Sequence, residues 1–161
     1  MYMCIDSTLE CEFAAKCPSH DALAWLKTVT NGWCTSTRMH EAIILPCIFG
    51  CKGKKDDLTH YLECMVLWSL IDEVFVGCVA PSKSGRINYI QPNMQNVCLM
   101  SLAFEVYHAL KIGLRDTVAR AVSTLRFAEI AEVASKLIRE KYDKNVTLFR
   151  LHPEGAVASL N

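Results

Sequence analysis

Four residues in the first half of the chain have the types and the spacing to bind a metal ion. They are Cys47, Cys51, His60 and Cys64, spaced as C-x3-C-x8-H-x3-C. Three thiolates and one imidazole form a ligand set suited to tetrahedral Zn²⁺. The nine cysteines of the chain also allow the alternative of ordinary buried thiols and a surface histidine. The local sequence around each ligand pair favours zinc.

The two halves of this motif need different local structures. Glycines lie within and just after the first cysteine pair, and glycine permits the tight turn that brings two sulfur atoms to one ion. His60 and Cys64 are four residues apart, so they would share one face of a helix. Asp56 or Asp57 could cap that helix, and its apolar spacing predicts that it extends over residues 58–76.

The remainder of the chain is predicted to be mostly helical. A helix starts near Ser19, and two prolines and a glycine predict a loop over residues 80–93. Residues 94–112 are apolar nearly all round, which predicts a helix buried on most sides, either at the centre of the fold or against a partner. Residues 116–141 form a further helix with a stripe of small side chains. The expected fold class is mainly α, a small CCHC zinc module fused to a helical bundle or hairpin.

Four parts are expected along the chain. They are an irregular N-terminal segment (1–18), a zinc-binding module with flanking helices (19–79), a helical hairpin (94–142) and a tail (143–161). With 161 residues, of which 52% are apolar, the chain can bury a core.

The composition excludes several classes of protein. Seventeen basic and 17 acidic side chains balance, so no overall field attracts nucleic acid or an anionic membrane, and any such binding must be local. We find neither a long uncharged apolar run nor a signal-peptide pattern, and therefore expect no membrane partner. An odd number of cysteines in a chain with its own core indicates reduced thiols and an intracellular location, cytoplasm or nucleus.

Cations beside the metal motif indicate a local nucleic-acid surface. The side chains expected to meet phosphates are Arg38, His40, Lys52, Lys54 and Lys55. Tyr61 or Trp33 would offer a face on which a base can stack. RNA or DNA is therefore one expected partner. In the alternative, zinc only stabilises a helical protein whose apolar helices bind another protein or a second copy of the chain.

No catalytic pattern emerges from the sequence. The glycine-rich phosphate loop, the G-x-S-x-G elbow and the H-E-x-x-H helix are all missing. A catalytic zinc keeps one position open for water, whereas four good ligands close the shell. We therefore expect structural zinc and no enzymatic activity.

The motif also resembles a known family. Residues 31–40 (NGWCTSTRMH), the pair Cys47-Ile-Phe-Gly-Cys51 and the run Asp57-Leu-Thr-His60-Tyr-Leu-Glu-Cys64 are similar to the zinc-binding segment downstream of the polymerase in non-LTR retrotransposon reverse transcriptases. That family places an acidic residue shortly before the histidine and often a tryptophan after the last cysteine, here Trp68. The resemblance implies the same four metal ligands and a nucleic-acid partner. Because the Tyr-x-Asp-Asp polymerase motif and a nuclease-like cluster are missing, it implies a detached or degenerate C-terminal piece without polymerase activity.

Overall fold

The computed structural model describes residues 18–77, 79, 82–87 and 94–150, with the backbone alone at 83, 84 and 142–150. Its helices are α1 (Ser19–Val29), α2 (Leu58–Tyr61), α3 (Met65–Asp72), α4 (Lys83–Ile87), α5 (Met94–His108), a π-helical turn (Ala109–Gly113), α6 (Arg115–Ser123) and α7 (Phe127–Arg150). Within these residues extended pairing is limited to one isolated bridge, between Pro46 and Lys55. The prediction of a mainly α fold is confirmed.

Helix α5 is the centre of the fold. It contacts α1, α3, α4 and α7, and side chains on all its faces are buried, including Met100, Phe104 and Tyr107. Because its sequence is apolar nearly all round, it gains most by being enclosed. Other helices of the same chain bury α5. Of the two predicted alternatives, a central position and burial against a partner, the structure shows the central position.

The helix predicted over residues 116–141 is two helices. Helix α6 ends at Ser123 and α7 begins at Phe127, and between them Leu125 has a φ of 56°. The hydroxyl of Thr124 donates to the carbonyl of Arg120 at 2.8 Å, and such a local side-chain bond competes with regular helix propagation. Helix α7 then continues to Arg150, into the segment that the sequence predicts to be a tail.

A π-helical turn joins α5 to α6. Leu114 N donates to Ala109 O at 3.0 Å, an i to i+5 bond that adds one residue to the turn. Lys111 lies in this turn and its side chain is 11% exposed. The turn therefore directs a cation inward, towards the region that carries the metal motif.

The two ends of the chain and the predicted loop are described only in part. The predicted N-terminal segment lies outside the described residues except for position 18, and so do the last eleven residues. The predicted loop over 80–93 contains the short helix α4. Among the described residues, no single helix is both long and apolar enough to cross a membrane; α5 with its π turn and α6 meet the criterion only as a pair bent by 86°.

Candidate metal centre and adjoining cleft

The first two ligands lie in a tight knuckle, residues 46–55. Cys47 N donates to Lys54 O at 2.9 Å, and Gly50 N donates to Cys47 O at 3.0 Å. Gly50 has a φ of +84°, and a Cβ placed there would lie 2.5 Å from Cγ of Phe127. Glycine is therefore required both by the backbone conformation and by the space that the α7 side chain leaves.

The other two ligands lie at the two ends of a helix break. Asp57 caps α2, since its Oδ1 accepts from His60 N at 2.7 Å. Helix α2 ends at Tyr61, and Cys64 is the residue before α3, with an extended ψ of 104°. The prediction of one helix over 58–76 is wrong, because the chain turns between the two ligands. This turn places Cys64 over the knuckle.

The four predicted ligand side chains come together. One ligand atom from each of them lies within 4.8 Å of all the others. Cys64 Sγ lies 3.9 Å from Cys47 Sγ and 3.5 Å from Cys51 Sγ. Nε2 of His60 is buried and makes no hydrogen bond within the described part of the protein. The cluster could hold a metal ion, and an ion would supply the partner that this nitrogen lacks.

The three thiols of the cluster differ in pKa because they lie close together. A hydrogen bond from Cys64 lowers the pKa of Cys47 to about 5, and the same bond raises the pKa of Cys64. Burial raises the pKa of Cys51. Of the three thiols, Cys47 therefore loses its proton most readily. Binding of a metal to all three sulfur atoms would release protons.

A buried carboxylate beside the cluster was missed by the sequence analysis. The side chain of Asp56 is fully buried. Burial alone would raise its pKa, but hydrogen bonds from Lys111 and from Ser36 N lower that pKa below the ordinary value. Its Oδ2 accepts from Lys111 Nζ at 2.8 Å and from Ser36 N at 2.7 Å. Its Oδ1 accepts from the hydroxyls of Tyr61 at 2.7 Å and Tyr107 at 3.0 Å. From the sequence, Asp56 was predicted only as a possible helix cap, and nothing in the neighbouring residues indicated a partner 55 residues away.

A cleft of about 890 Å³ opens beside the metal cluster. Its wall includes His60 and four of the five side chains expected to meet phosphates, Arg38, His40, Lys54 and Lys55. Lys52 is exposed on the knuckle but is not among the residues described as lining the cleft. The wall also carries Asp57 and Glu63. The structure thus gathers most of the predicted cations on one concave surface.

The aromatic residues proposed for base stacking do not reach this surface. Trp33 and Tyr61 are both 0% exposed, and their rings stack on each other at 5.9 Å between centroids. Both rings are instead part of an aromatic core with Phe104 and Tyr107 from α5. The prediction that they offer a stacking face is wrong, because packing against α5 covers them.

Comparison of the chain with protein-family models, with curated proteins and with solved structures found no match. The resemblance to the zinc-binding segment of non-LTR retrotransposon reverse transcriptases therefore rests on the sequence motif alone.

Proposed function

We propose that the chain is a zinc-stabilised nucleic-acid-binding module. The observation that carries this proposal is the convergence of Cys47, Cys51, His60 and Cys64 directly beside a cation-lined cleft. The metal would fix the walls of the cleft, and the cleft would bind the phosphate backbone. In this role the protein binds its partner and does no chemistry on it.

Zinc suits the cluster on grounds of ligand type and distance. A tetrahedral zinc with Zn–S bonds of about 2.3 Å separates two sulfur ligands by roughly 3.8 Å. The sulfur pairs at 3.5 and 3.9 Å lie on either side of that value. Three thiolates also select zinc over harder divalent ions such as magnesium or calcium. Four protein ligands would close the coordination shell, which favours a structural ion.

Phosphate contacts suit the cleft better than base contacts. Arg38, His40, Lys54 and Lys55 are exposed, and cations of this kind supply salt-dependent, sequence-independent affinity. The Trp33 and Tyr61 rings nearest the cluster are buried, and no Phe, Tyr or Trp is among the described residues that line the cleft. Binding through the backbone, with little preference for sequence, follows from this chemistry.

The resemblance to retroelement reverse transcriptases supports the same partner class. We infer that the chain corresponds to a C-terminal, zinc-binding part of such a protein. Reduced thiols in the cluster would then require the cytoplasm or the nucleus.

Salt dependence of binding tests the proposal. Affinity for a labelled RNA or DNA oligonucleotide, measured by fluorescence anisotropy between 50 and 300 mM salt (about a sixfold range), should fall steeply. Replacing Arg38, Lys54 and Lys55 by Ala should reduce the log–log slope by about two to three, since each lost phosphate contact removes about 0.7 to 0.9.

A matched triple variant serves as the control. Arg120, Lys136 and Arg139 are exposed cations on α6 and α7, and their replacement by Ala removes the same charge away from the cleft. Equal slopes for the two triple variants would contradict a role for the cleft.

A second candidate function is a protein-interaction module. The loop that precedes the knuckle exposes Met39, Ile43 and Ile44, which are 52%, 76% and 41% accessible. Grouped apolar side chains of this kind are typical of contact surfaces. If the protein sediments as a dimer and shows no oligonucleotide binding at low salt, this alternative replaces the first.

A further inference from the structure

Asp56 is hydrogen-bonded to Tyr61, which follows a metal ligand, and to Ser36, which precedes a residue of the cleft wall. It is not one of the four ligand residues, and neither it nor Lys111 is among the residues that line the cleft. A fully buried carboxylate with four hydrogen-bond donors is costly to build, because each charged partner must be taken out of water. Its position therefore needs an explanation in terms of what it holds in place.

Asp56 forms hydrogen bonds with both ends of the loop over residues 36–45. At one end its carboxylate accepts from Ser36 N, and its carbonyl accepts from Thr37 N at 3.3 Å. At the other end its own N–H donates to Leu45 O at 2.9 Å. The loop between these ends carries Arg38 and His40, two of the side chains that line the cleft.

The loop itself is tightly turned. Met39 N donates to Thr35 O at 2.9 Å, and Glu41 N donates to Ser36 O at 3.0 Å. His40 has a φ of 52°, a left-handed conformation that costs free energy in a non-glycine residue and persists only when its surroundings hold it. The turn is held by buried Thr35 and Ser36, and Asp56 accepts a hydrogen bond from Ser36 N.

The same carboxylate reaches the metal knuckle. Tyr61 donates its hydroxyl to Asp56 at 2.7 Å, and its oxygen accepts from Ile48 N at 3.3 Å. Ile48 follows the first ligand, and Tyr61 follows His60. A continuous set of hydrogen bonds therefore runs from the knuckle through Asp56 to the turn that carries Arg38.

Lys111 forms ion pairs with two residues of this hydrogen-bonded network. Its Nζ lies 2.8 Å from Asp56 Oδ2 and 3.5 Å from Glu41 Oε1. Lys111 thus contacts both Asp56 and Glu41 of the loop over residues 36–45, although it belongs to the π-helical turn after α5.

We propose that Asp56 and Lys111 are positioning residues for the cationic cleft, which set the Arg38 and His40 turn in the geometry that binds phosphate. The proposal rests on the proposed function of the cleft. Because Lys111 does not itself line the cleft, its replacement should weaken binding through the position of another residue.

The first test replaces Lys111 by Met in the metal-loaded protein. Affinity for the labelled oligonucleotide should fall roughly tenfold, a coupling in the middle of the usual range, while one zinc per chain is retained. Lys111→Arg should recover much of the affinity. Lys136→Met removes an exposed cation on α7 and should leave affinity unchanged. Equal affinity of Lys111→Met and the unaltered protein would overturn the proposal.

A double-mutant cycle with Arg38→Ala separates positioning from general damage. If Lys111 acts through Arg38, most of its effect on affinity should disappear when Arg38 is already Ala. Fully additive losses would overturn the proposal, since they indicate two independent effects.

A second variant and a ligand-free measurement keep the test decisive if Lys111→Met folds poorly. Tyr107→Phe removes one donor to Asp56 and leaves the charges intact. In this variant the amides of Thr37 and Glu41 should exchange with solvent several-fold faster, while amides within α7 do not. Unchanged exchange at both loop amides would overturn the positioning role. This readout does not depend on nucleic-acid binding, so it distinguishes failure of the positioning of the loop from failure of the proposed function.

Discussion

Two regions of the molecule are held together by different interactions. In the metal region, residues 33–64, the described regular structure is one four-residue helix, and the buried groups include Asp56, Ser36 and Thr35. In the helical region, residues 94–141, long helices bury an almost wholly apolar set. The stability of the metal region therefore depends on specific polar contacts, whereas that of the helical region depends on close packing of apolar side chains. Single substitutions should therefore have larger effects in the metal region.

The largest effect is expected from loss of a metal ligand. Cys64→Ser should abolish binding of one zinc per chain, because it removes one of the three thiolate ligands. Loss of the ion should also unfold the region, because structural zinc contributes on the order of 10 kcal/mol or more to the folding of small modules. Metal analysis and circular dichroism would show loss of zinc with loss of ordered structure. Cys34→Ser changes a partly buried thiol outside the cluster and serves as the control. A Cys64→Ser protein with full zinc content would remove the metal site.

Asp56→Asn should be the next most damaging change. It leaves the Lys111 cation facing a neutral amide, and loss of one partner of a buried ion pair costs about 3 to 5 kcal/mol. Denaturant unfolding at neutral pH measures this cost.

The pH dependence of this difference has a definite sign. The pKa of Asp56 is lower in the folded protein than in the unfolded chain. Its contribution to stability is therefore complete above about pH 4 and is lost as the pH falls through the folded-state pKa. The gap between the unaltered protein and Asp56→Asn should narrow on acidification, and a gap that widens would contradict the ion-pair account.

Two glycines of the knuckle provide a matched pair with an intermediate effect. Both have positive φ, but a Cβ at Gly53 meets nothing within 4 Å, while one at Gly50 lies 2.5 Å from Phe127. Gly53→Ala should cost about 1 to 2 kcal/mol for the backbone alone. Gly50→Ala should cost about 1 to 3 kcal/mol more from overpacking and lower zinc affinity. Equal melting temperatures for the two variants would show that the contact with Phe127 is unimportant.

The smallest effect is expected in the helical region. Ile138 is fully buried in α7, and Ile138→Val removes one methylene for about 0.5 to 1.5 kcal/mol. Zinc content should be unchanged, because the substitution removes volume without disturbing a polar partner. If Ile138→Val lowered zinc affinity as much as Gly50→Ala, the contrast between the two regions would be lost.

The sequence predicts those parts of the molecule that local spacing determines. The grouping of the four candidate ligands was predicted from the spacing of the cysteines and the histidine and from the glycine turn, although the helix that was expected to carry both His60 and Cys64 is interrupted between them. The burial of α5 was predicted because its composition leaves no polar face. Asp57 as a helix cap belongs to the same class of local signal.

Features that depend on distant contacts could not be predicted. The helix break before Cys64 interrupts an apolar pattern that continues through it, so periodicity alone indicates one helix. The break at Leu125 contains neither glycine nor proline. The burial of Trp33, and the pairing of Asp56 with Lys111, follow from the docking of α5, which no local pattern encodes.

The π-helical turn at Ala109–Gly113 makes chain length as important as chemistry at one point of the fold. A one-residue deletion there would leave the hydropathy of the segment almost unchanged, yet it would shift the lysine's side chain around the helix axis and away from its carboxylate. In related sequences, the number of residues between the central helix and α6 should thus vary less than their identity.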